Sequence, residues 1–436
     1  MPIWKRKLTP WSPESRLSKN SFSVEYDHHG EAGCRKSIDT EPKALRRPKR
    51  RIKNERRVYT MDRRSFLKTM GLIGAMSASG VSISQPSSAK TVDQPTYKKF
   101  IVGEIPKYDA TNHVFSRMMY DPDFLQLRAV QGKNMKENIE TGKSGFGLME
   151  MAFRGATWAI QYSLGSGSGT YAWGGEGLYS WAPLGRPPFS TAGMGKLDSR
   201  GPEWITKWIK VAGKHFGANL VGISEINRNW IYSHVYNIMT KKTTPVEIPP
   251  EYKYAVVMAI EMDFGLMKES PKALSGAATG LGYSKMAITA VSMAEFIRNL
   301  GYKAIPMGND TALSTPLAID AGLGELGRNG LLITEQFGPR VRISKVFTDL
   351  PLKTDQPVDL GIQDFCESCG VCAQECPGKA ISSGKRSTEP ASVSNNKGGL
   401  LKWSTNAYNC FKNWAALGVD CTHCIAACVK NRPPAG

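Results

Sequence analysis

The chain has little with which to cross a membrane. Downstream of Ala89 it contains no run of 18 or more apolar residues, whereas a spanning helix needs about 20, so membrane attachment of that part would require a partner. Cysteine is almost missing upstream of Cys366, where Cys34 stands alone, and the remaining eight of nine lie between Cys366 and Cys428. The glycine-rich run Gly165-Ser-Gly-Ser-Gly-Thr-Tyr-Ala-Trp173-Gly-Gly is not followed by Gly-Lys-Ser/Thr, which excludes a phosphate-binding P-loop. Acidic residues are scarce as well: 38 Asp and Glu face 57 Lys and Arg, for a net charge of +19. Most of that excess sits before residue 90. Residues 1–60 carry 16 Lys/Arg against 7 Asp/Glu, including Arg46-Arg47-Pro-Lys49-Arg50-Arg51. Without residues 1–89 the net charge falls to less than half, so basicity gives little support to nucleic-acid binding.

The crowded cysteines form two motifs. Cys366-Glu-Ser-Cys369-Gly-Val-Cys372-Ala-Gln-Glu-Cys376-Pro377 is the C-x2-C-x2-C-x3-C-P run that wraps one [4Fe–4S] cluster and passes its fourth thiolate to a second. Cys410 and Cys421-Thr-His-Cys424-Ile-Ala-Ala-Cys428 supply the rest. By the interleaving usual in two-cluster ferredoxins, Cys366, Cys369, Cys372 and Cys428 hold one cube, and Cys376, Cys410, Cys421 and Cys424 hold the other. Zinc sites use paired C-x2-C units, and a disulfide framework has no reason to end a cysteine triplet in Cys-Pro. The ten residues between Cys410 and Cys421, and Val429 where proline often stands, depart from the symmetric pattern and leave the partition open.

Near the start, Met61-Asp-Arg63-Arg64-Ser65-Phe66-Leu67-Lys68 reads as a twin-arginine export motif. A small-residue apolar stretch to Ile83 and a Ser87-Ser-Ala89 cleavage end follow. This pathway exports folded proteins with their cofactors inserted, in keeping with a cluster-bearing tail. Residues 1–60 then read as a basic extension, upstream of a true start at Met61.

Residues 61–89 are thus a signal peptide and 90–200 a loop-rich region whose Trp158, Trp173 and Trp181 wall a pocket or fill a core. In 201–350 helices and strands alternate. Trp204, Trp208 and Val211 mark a helix over Glu203–His215, and Asn219–Ile223 and the apolar run Tyr254–Ile260 read as strands. Met286, Ala290, Met293, Ala294 and Ile297 share one helical face ended by Gly301. Lys303–Pro306, Leu331–Thr334 and Arg340–Phe347 are further strands. The expected class is α/β (α+β), linked through Pro351–Pro357 to a terminal module over 351–436.

Three segments carry a resemblance: Gly301-Tyr-Lys-Ala-Ile-Pro-Met-Gly-Asn309-Asp, Ala321-Gly-Leu-Gly-Glu-Leu-Gly-Arg328-Asn-Gly and Phe337-Gly-Pro-Arg340-Val-Arg342. With the export motif and the terminal cysteines, they closely resemble the catalytic subunit of respiratory reductive dehalogenases over roughly residues 61–436. Gly322-Leu-Gly324-Glu-Leu-Gly327 also fits the dinucleotide-binding G-x-G-x-x-G, but no clean strand precedes it. The resemblance implies a nitroreductase-like corrinoid-binding domain, a ferredoxin-like module with two [4Fe–4S] clusters, and a corrinoid of the cobamide (vitamin B12) type. The part after Ala89 has no Asp-x-His-x-x-Gly corrinoid motif, in keeping with a cofactor held without a protein histidine. Gly322, Gly324, Gly327, Arg328, Asn329 and Gly330 are the expected corrinoid contacts, glycine allowing close approach of backbone to the macrocycle.

The implied activity replaces carbon–halogen by carbon–hydrogen, with two electrons and one proton, through Co(I) fed by the clusters. By the same resemblance a tyrosine gives the proton, and Gly280-Leu-Gly282-Tyr283-Ser284 best matches its position. Arg342, with Arg340 and Arg328 as rivals, would stabilise the phenolate, and Asn309 would add a polar contact. Structural roles compete: a helix-start hydroxyl for Tyr283, a turn residue for Asn309, a carboxylate-paired strand charge for Arg342. Implied partners are a small organohalide, a small integral-membrane anchor subunit and an upstream respiratory electron donor, with no nucleic acid. The implied location is the outer face of the cytoplasmic membrane, peripherally attached. Two other readings share parts of this pattern, an epoxyqueuosine reductase-like enzyme and a secreted ferredoxin-type carrier.

Overall fold

The computed structural model describes residues 89–436, apart from 166–176, 186–187, 199, 238–239, 393–397 and 434–436. The export motif, Cys34 and Trp173 therefore lie outside the described residues.

At the centre is a four-stranded sheet of β1 (Leu220–Glu225), β2 (Tyr254–Glu261), β3 (Ala304–Met307) and β4 (Val341–Thr348), in the order β1-β2-β4-β3. Every neighbouring pair is antiparallel. The expected α/β (α+β) class holds as a mixed helix-and-sheet arrangement, with the antiparallel pairing placing it on the α+β side. Both faces are covered, which explains why β2 is apolar at nearly every position. Val256 and Met258 pack with Ile205, Ile209, Met293 and Ile297 on one face, and Ala255, Val257 and Ala259 pack with Leu317, Ile343 and Phe347 on the other.

The helix carrying Ile205 and Ile209 is Pro202–His215, opened by a proline whose missing N–H costs nothing at a helix start. The helix carrying Met293 and Ile297 runs from Ala273 to Asn299 and ends before Gly301, which has φ +85°. Two further helices replace the loops expected over 90–200: Pro122–Glu140, capped by Asp121, and Leu148–Leu164. In chain order these four are α1 (Pro122–Glu140), α2 (Leu148–Leu164), α3 (Pro202–His215) and α4 (Ala273–Asn299). Neither α1 nor α2 shows the buried apolar stripe that betrays a helix in sequence. Only Phe124 and Asn138 are buried in α1, and no residue is buried in α2.

α4 packs against α2 because its facing positions are small. A Cβ on Gly280 would stand 2.4 Å from Trp158 Cδ1, so only glycine lets the α2 indole lie across the helix. The expected linker 351–357 is tied down: Leu350 and Leu352 are buried, Asp355 binds Lys210 at 2.5 Å, and Asp355 also accepts from the Ile223 amide at 2.8 Å. Beyond it come α6 (Ile362–Cys369) and α7 (Ala407–Leu417), while α5 (Ser314–Asp320) follows β3.

Candidate active site

Tyr283 sits in the interior of α4, not at its start. Its hydroxyl accepts hydrogen bonds from Asn309 Nδ2 at 2.8 Å and from Arg342 Nη1 at 3.2 Å. The ring stacks on Trp158 with centroids 4.9 Å apart, and the Arg342 guanidinium carbon is 4.9 Å from the ring centre. Three elements thus meet at one oxygen: α4, the turn after β3, and β4. Gly282 contributes by absence, since a Cβ there would fall 2.9 Å from Arg342 Cγ. No carboxylate is paired with Arg342 among the described residues; its Nε instead lies 3.3 Å from Met262 Sδ.

The two rival arginines are occupied elsewhere. Arg340 is fully buried, ion-paired with Glu261 and bonded to Arg432 O and Asn431 Oδ1. Arg328 donates to the carbonyls of Cys366, Glu367, Ser382 and Gly384.

The turn bearing Asn309 is built from below by Lys345, which sequence reasoning missed. Alternation along β4 places Arg342 on one face of the sheet and Lys345 on the other, among Val341, Ile343 and Phe347. Lys345 Nζ donates to Gly308 O at 2.5 Å, Asp310 O at 3.3 Å and Ser314 Oγ at 3.1 Å. Burial pushes its amine down to about 8, a fall that Asp310 opposes, so it remains mostly charged at neutral pH. Tyr232 donates to Asn309 O at 2.8 Å. Burial holds the Tyr179 and Tyr232 hydroxyls far above the ordinary tyrosine range, leaving them neutral. The available signal for Lys345 was a lone charge in the apolar register of a strand otherwise buried on both faces.

Tyr283, Asn309 and Arg342 line a cavity of about 1060 Å³, at or above the upper end of ordinary small-molecule pockets of about 300–1,000 Å³. Cys376, Cys410, Cys421 and Cys424 line the same cavity. Cys366, Cys369, Cys372 and Cys428 line a separate small one. The thiols gather in the two groups of four that the ferredoxin interleaving gives. Burial, and then neighbouring thiols, push Cys372 up to about 11 and Cys410 up to about 12. Such thiols reach the thiolate form only when a cation replaces the proton. Among the described residues no three ligating side chains converge closely enough for a single metal ion. The donor set of each quartet, four thiols around a space, fits an iron–sulfur cluster.

Several buried polar atoms along the large cavity lack a protein partner among the described residues: Gln161 Oε1, Tyr179 Oη, Trp403 Nε1, Thr405 Oγ1, Thr422 Oγ1 and His423 Nδ1. Buried polar groups are normally satisfied, so this wall fits a large ligand rich in hydrogen-bonding groups. Of the expected corrinoid contacts, Asn329 and Gly330 line this cavity. Gly322, Gly324, Gly327 and Arg328 do not line it. A Cβ on Gly322 would meet Gln356 O at 2.3 Å and one on Gly324 would meet Ile333 O at 2.3 Å. These glycines serve backbone packing, and Gly327 and Arg328 border the small thiol-lined cavity. Trp158 lines the large cavity and Trp181 packs at the edge of the core.

A mixed helix-and-sheet unit that brings one thiol quartet and a doubly bonded tyrosine to a wide cavity, with a second quartet at a small one, has the organisation of an oxidoreductase. No family model matches the chain. It is 32% identical over 359 residues to the tetrachloroethene reductive dehalogenase of Sulfurospirillum multivorans, covering 74% of this chain and 69% of that protein. It is 37% identical over 295 residues to the enzyme of the same name from Dehalobacter restrictus, covering 59% and 53%. Among solved structures it resembles the catabolic reductive dehalogenase NpRdhA in its N-terminally tagged K488Q variant, with TM-score 0.56, 26% identity and coverage of 79% of this chain and 44% of the other. Another solved structure, described as suggesting a mechanism for B12-dependent dehalogenation, matches with TM-score 0.56, 25% identity and 79% and 44% coverage. The chain belongs to the reductive dehalogenase family, and spans about half to two-thirds of the length of these relatives.

Proposed function

We propose that this protein reduces a small organohalide, replacing a carbon–halogen bond by a carbon–hydrogen bond with two electrons and one proton and releasing halide. The observation that carries the proposal is the Tyr283 hydroxyl, held by an amide and a guanidinium donor in the wall of a cavity whose lining also includes four cysteines. A corrinoid in that cavity would supply the low-valent cobalt that accepts and delivers electron pairs. Asn329, Gly330, Thr405 Oγ1, Thr422 Oγ1 and His423 Nδ1 are the groups that would hold it. Cys366, Cys369, Cys372 and Cys428 would hold one [4Fe–4S] cluster, and Cys376, Cys410, Cys421 and Cys424 the other. The latter quartet borders the large cavity and would stand next to the corrinoid. The sheet with α3 and α4 then corresponds to a nitroreductase-like corrinoid-binding domain, and residues 351–436 to a ferredoxin-like module.

Tyr283 acts as general acid. Because its oxygen accepts from Asn309 and Arg342, its own proton is left free to point into the cavity. When that proton passes to the substrate carbon, the negative charge on the oxygen is met by an amide N–H and a guanidinium already in place, without reorganisation. Trp158 keeps the ring plane fixed by stacking. Lys345 and Tyr232 hold the turn, and with it the position of Asn309.

The twin-arginine motif supports export and service as terminal reductase of organohalide respiration at the outer face of the cytoplasmic membrane. No helix among the described residues is long and apolar enough to cross a membrane. Attachment would go through a small integral-membrane anchor subunit, with electrons from an upstream respiratory donor. The test is anaerobic purification with cofactor reconstitution, metal analysis, and assay against chlorinated ethenes, ethanes, phenols and benzenes with a low-potential donor. Cobalt, eight irons and halide release are expected. A protein that keeps iron but takes up no corrinoid would sink the reading and favour an electron carrier.

A further inference from the structure

The small thiol-lined cavity is flanked by a buried arginine that no carboxylate pairs with among the described residues. Arg328 is 4% exposed, and all four of its hydrogen-bond acceptors are neutral carbonyls, including Cys366 O at 3.0 Å. Its guanidinium carbon lies 4.4 Å from the centre of the Trp403 ring. Arg386, whose side chain is 6% exposed, lies 3.8 Å from the same ring and 3.8 Å from that of Phe100. It donates to Gln363 O at 3.1 Å and pairs at 3.0 Å with Glu367, a carboxylate that is 49% exposed. Asp364, the other acid nearby, is 82% exposed and engaged with Lys99 at the surface. Of these two guanidiniums, only Arg386 has a carboxylate partner among the described residues, and that carboxylate is half exposed. Burying like charges together is strongly unfavourable unless an anion stands close. The space beside Arg328 is the small cavity lined by Cys366, Cys369, Cys372 and Cys428, with Lys430 on the same wall.

We infer that Arg328 and Arg386, gathered on Trp403, are the counter-charge of the cluster on Cys366, Cys369, Cys372 and Cys428 and raise its reduction potential. The inference rests on the cluster assignment proposed above. Four thiolates around a [4Fe–4S] core leave it anionic, and each added electron makes it more so. Fixed cations in a low-dielectric wall stabilise the reduced form more than the oxidised one. Among the described residues, the buried charge beside the second quartet is a carboxylate. It is Asp420, bound by Arg154 at 2.8 and 2.6 Å. The second quartet therefore serves as an internal control in the same molecule.

The experiment is a redox titration of the anaerobically purified holoprotein followed by electron paramagnetic resonance. The signal that disappears in Cys366→Ala identifies the cluster in question. Arg386→Gln should make its one-electron reduction about tenfold less favourable, a shift of about 59 mV to lower potential. The other cluster should not move, and Arg386→Lys should restore most of the change. Loss of this cluster from Arg386→Gln but not from Arg386→Lys would equally support a counter-charge. An unchanged midpoint in Arg386→Gln, a shift confined to the other cluster, or loss of the cluster from both variants would overturn the inference and leave packing as the role of Arg386. Absence of iron from the wild-type protein would instead refute the cluster assignment itself.

Discussion

Replacing Tyr283 by phenylalanine removes one oxygen and one proton while keeping the ring on Trp158, so it isolates the acid. A positioned general acid contributes about 10²–10⁴ in rate, which is about 3–5 kcal/mol of barrier at about 1.4 kcal/mol per decade. The variant also strands Asn309 Nδ2 and Arg342 Nη1, the donors now 2.8 and 3.2 Å from the hydroxyl. Each partnerless donor costs about 1–3 kcal/mol if water does not reach it; at the wall of an open cavity water can, so the protein should fold and keep cobalt and iron. The assay is anaerobic halide release under saturating substrate, with metal content measured on the same sample and substrate affinity determined separately. The loss should fall on turnover, because the oxygen's hydrogen bonds strengthen only as charge develops. Near-normal turnover in a fully loaded Tyr283→Phe protein would refute the assignment and move the proton donor elsewhere.

Other expectations follow from the same geometry. Cys366→Ala and Cys421→Ala should each lower iron from eight to about four, leaving different cluster signals; an eight-iron protein in either case would contradict the ligand partition. Gly280→Val would drive a side chain into the α2 indole, since even its Cβ would lie 2.4 Å from Trp158 Cδ1. It should cost about 1–3 kcal/mol as overpacking, measured by denaturant unfolding, and lower turnover by displacing the indole from Tyr283. Lys345 has a folded-state value near 8, below its ordinary 10.5. The unfolded chain therefore binds more protons between those pH values, and its titration should make stability rise with pH through that window. In Lys345→Met this contribution should vanish, so the stability difference between wild type and variant should grow in favour of wild type from pH 8 to 10.5; parallel stability curves would refute it.

Much of the architecture could be read from residue order. The strands at 220–225, 254–261, 304–307 and 341–348 and the helices at 202–215 and 273–299 carried strong local patterns, since each has a face pressed into one of two apolar cores. α1 and α2 did not, because the half-buried faces they turn inward carry polar residues such as Gln131, Asn134, Asn138, Arg154 and Gln161 and so leave no apolar stripe to detect. Sheet direction was also hidden: strand patterns are set by burial, and two covered faces look alike in parallel and antiparallel sheets. The glycines of 322–327 stand out in the sequence, and the fold supplies a packing reason for each: backbone carbonyls crowd Gly322 and Gly324, and the Ile333 and Asn329 side chains crowd Gly327.

Residue order alone determined the chemistry available to this protein. Eight cysteines at fixed short spacings have few uses, and ligand spacing is a local property of the chain. Which side chains share a site was decided only by folding. Tyr283, Asn309 and Arg342 lie on three separate elements, and nothing in their own surroundings distinguishes Arg342 from Arg340 or Arg328. Strand alternation turns Arg342 toward α4, the pairing of β4 with β3 brings Lys345 beneath the turn of Asn309, and missing Cβ atoms at Gly280 and Gly282 let the groups close on one oxygen. Convergence of that kind depends on long-range packing, which no short stretch of sequence encodes.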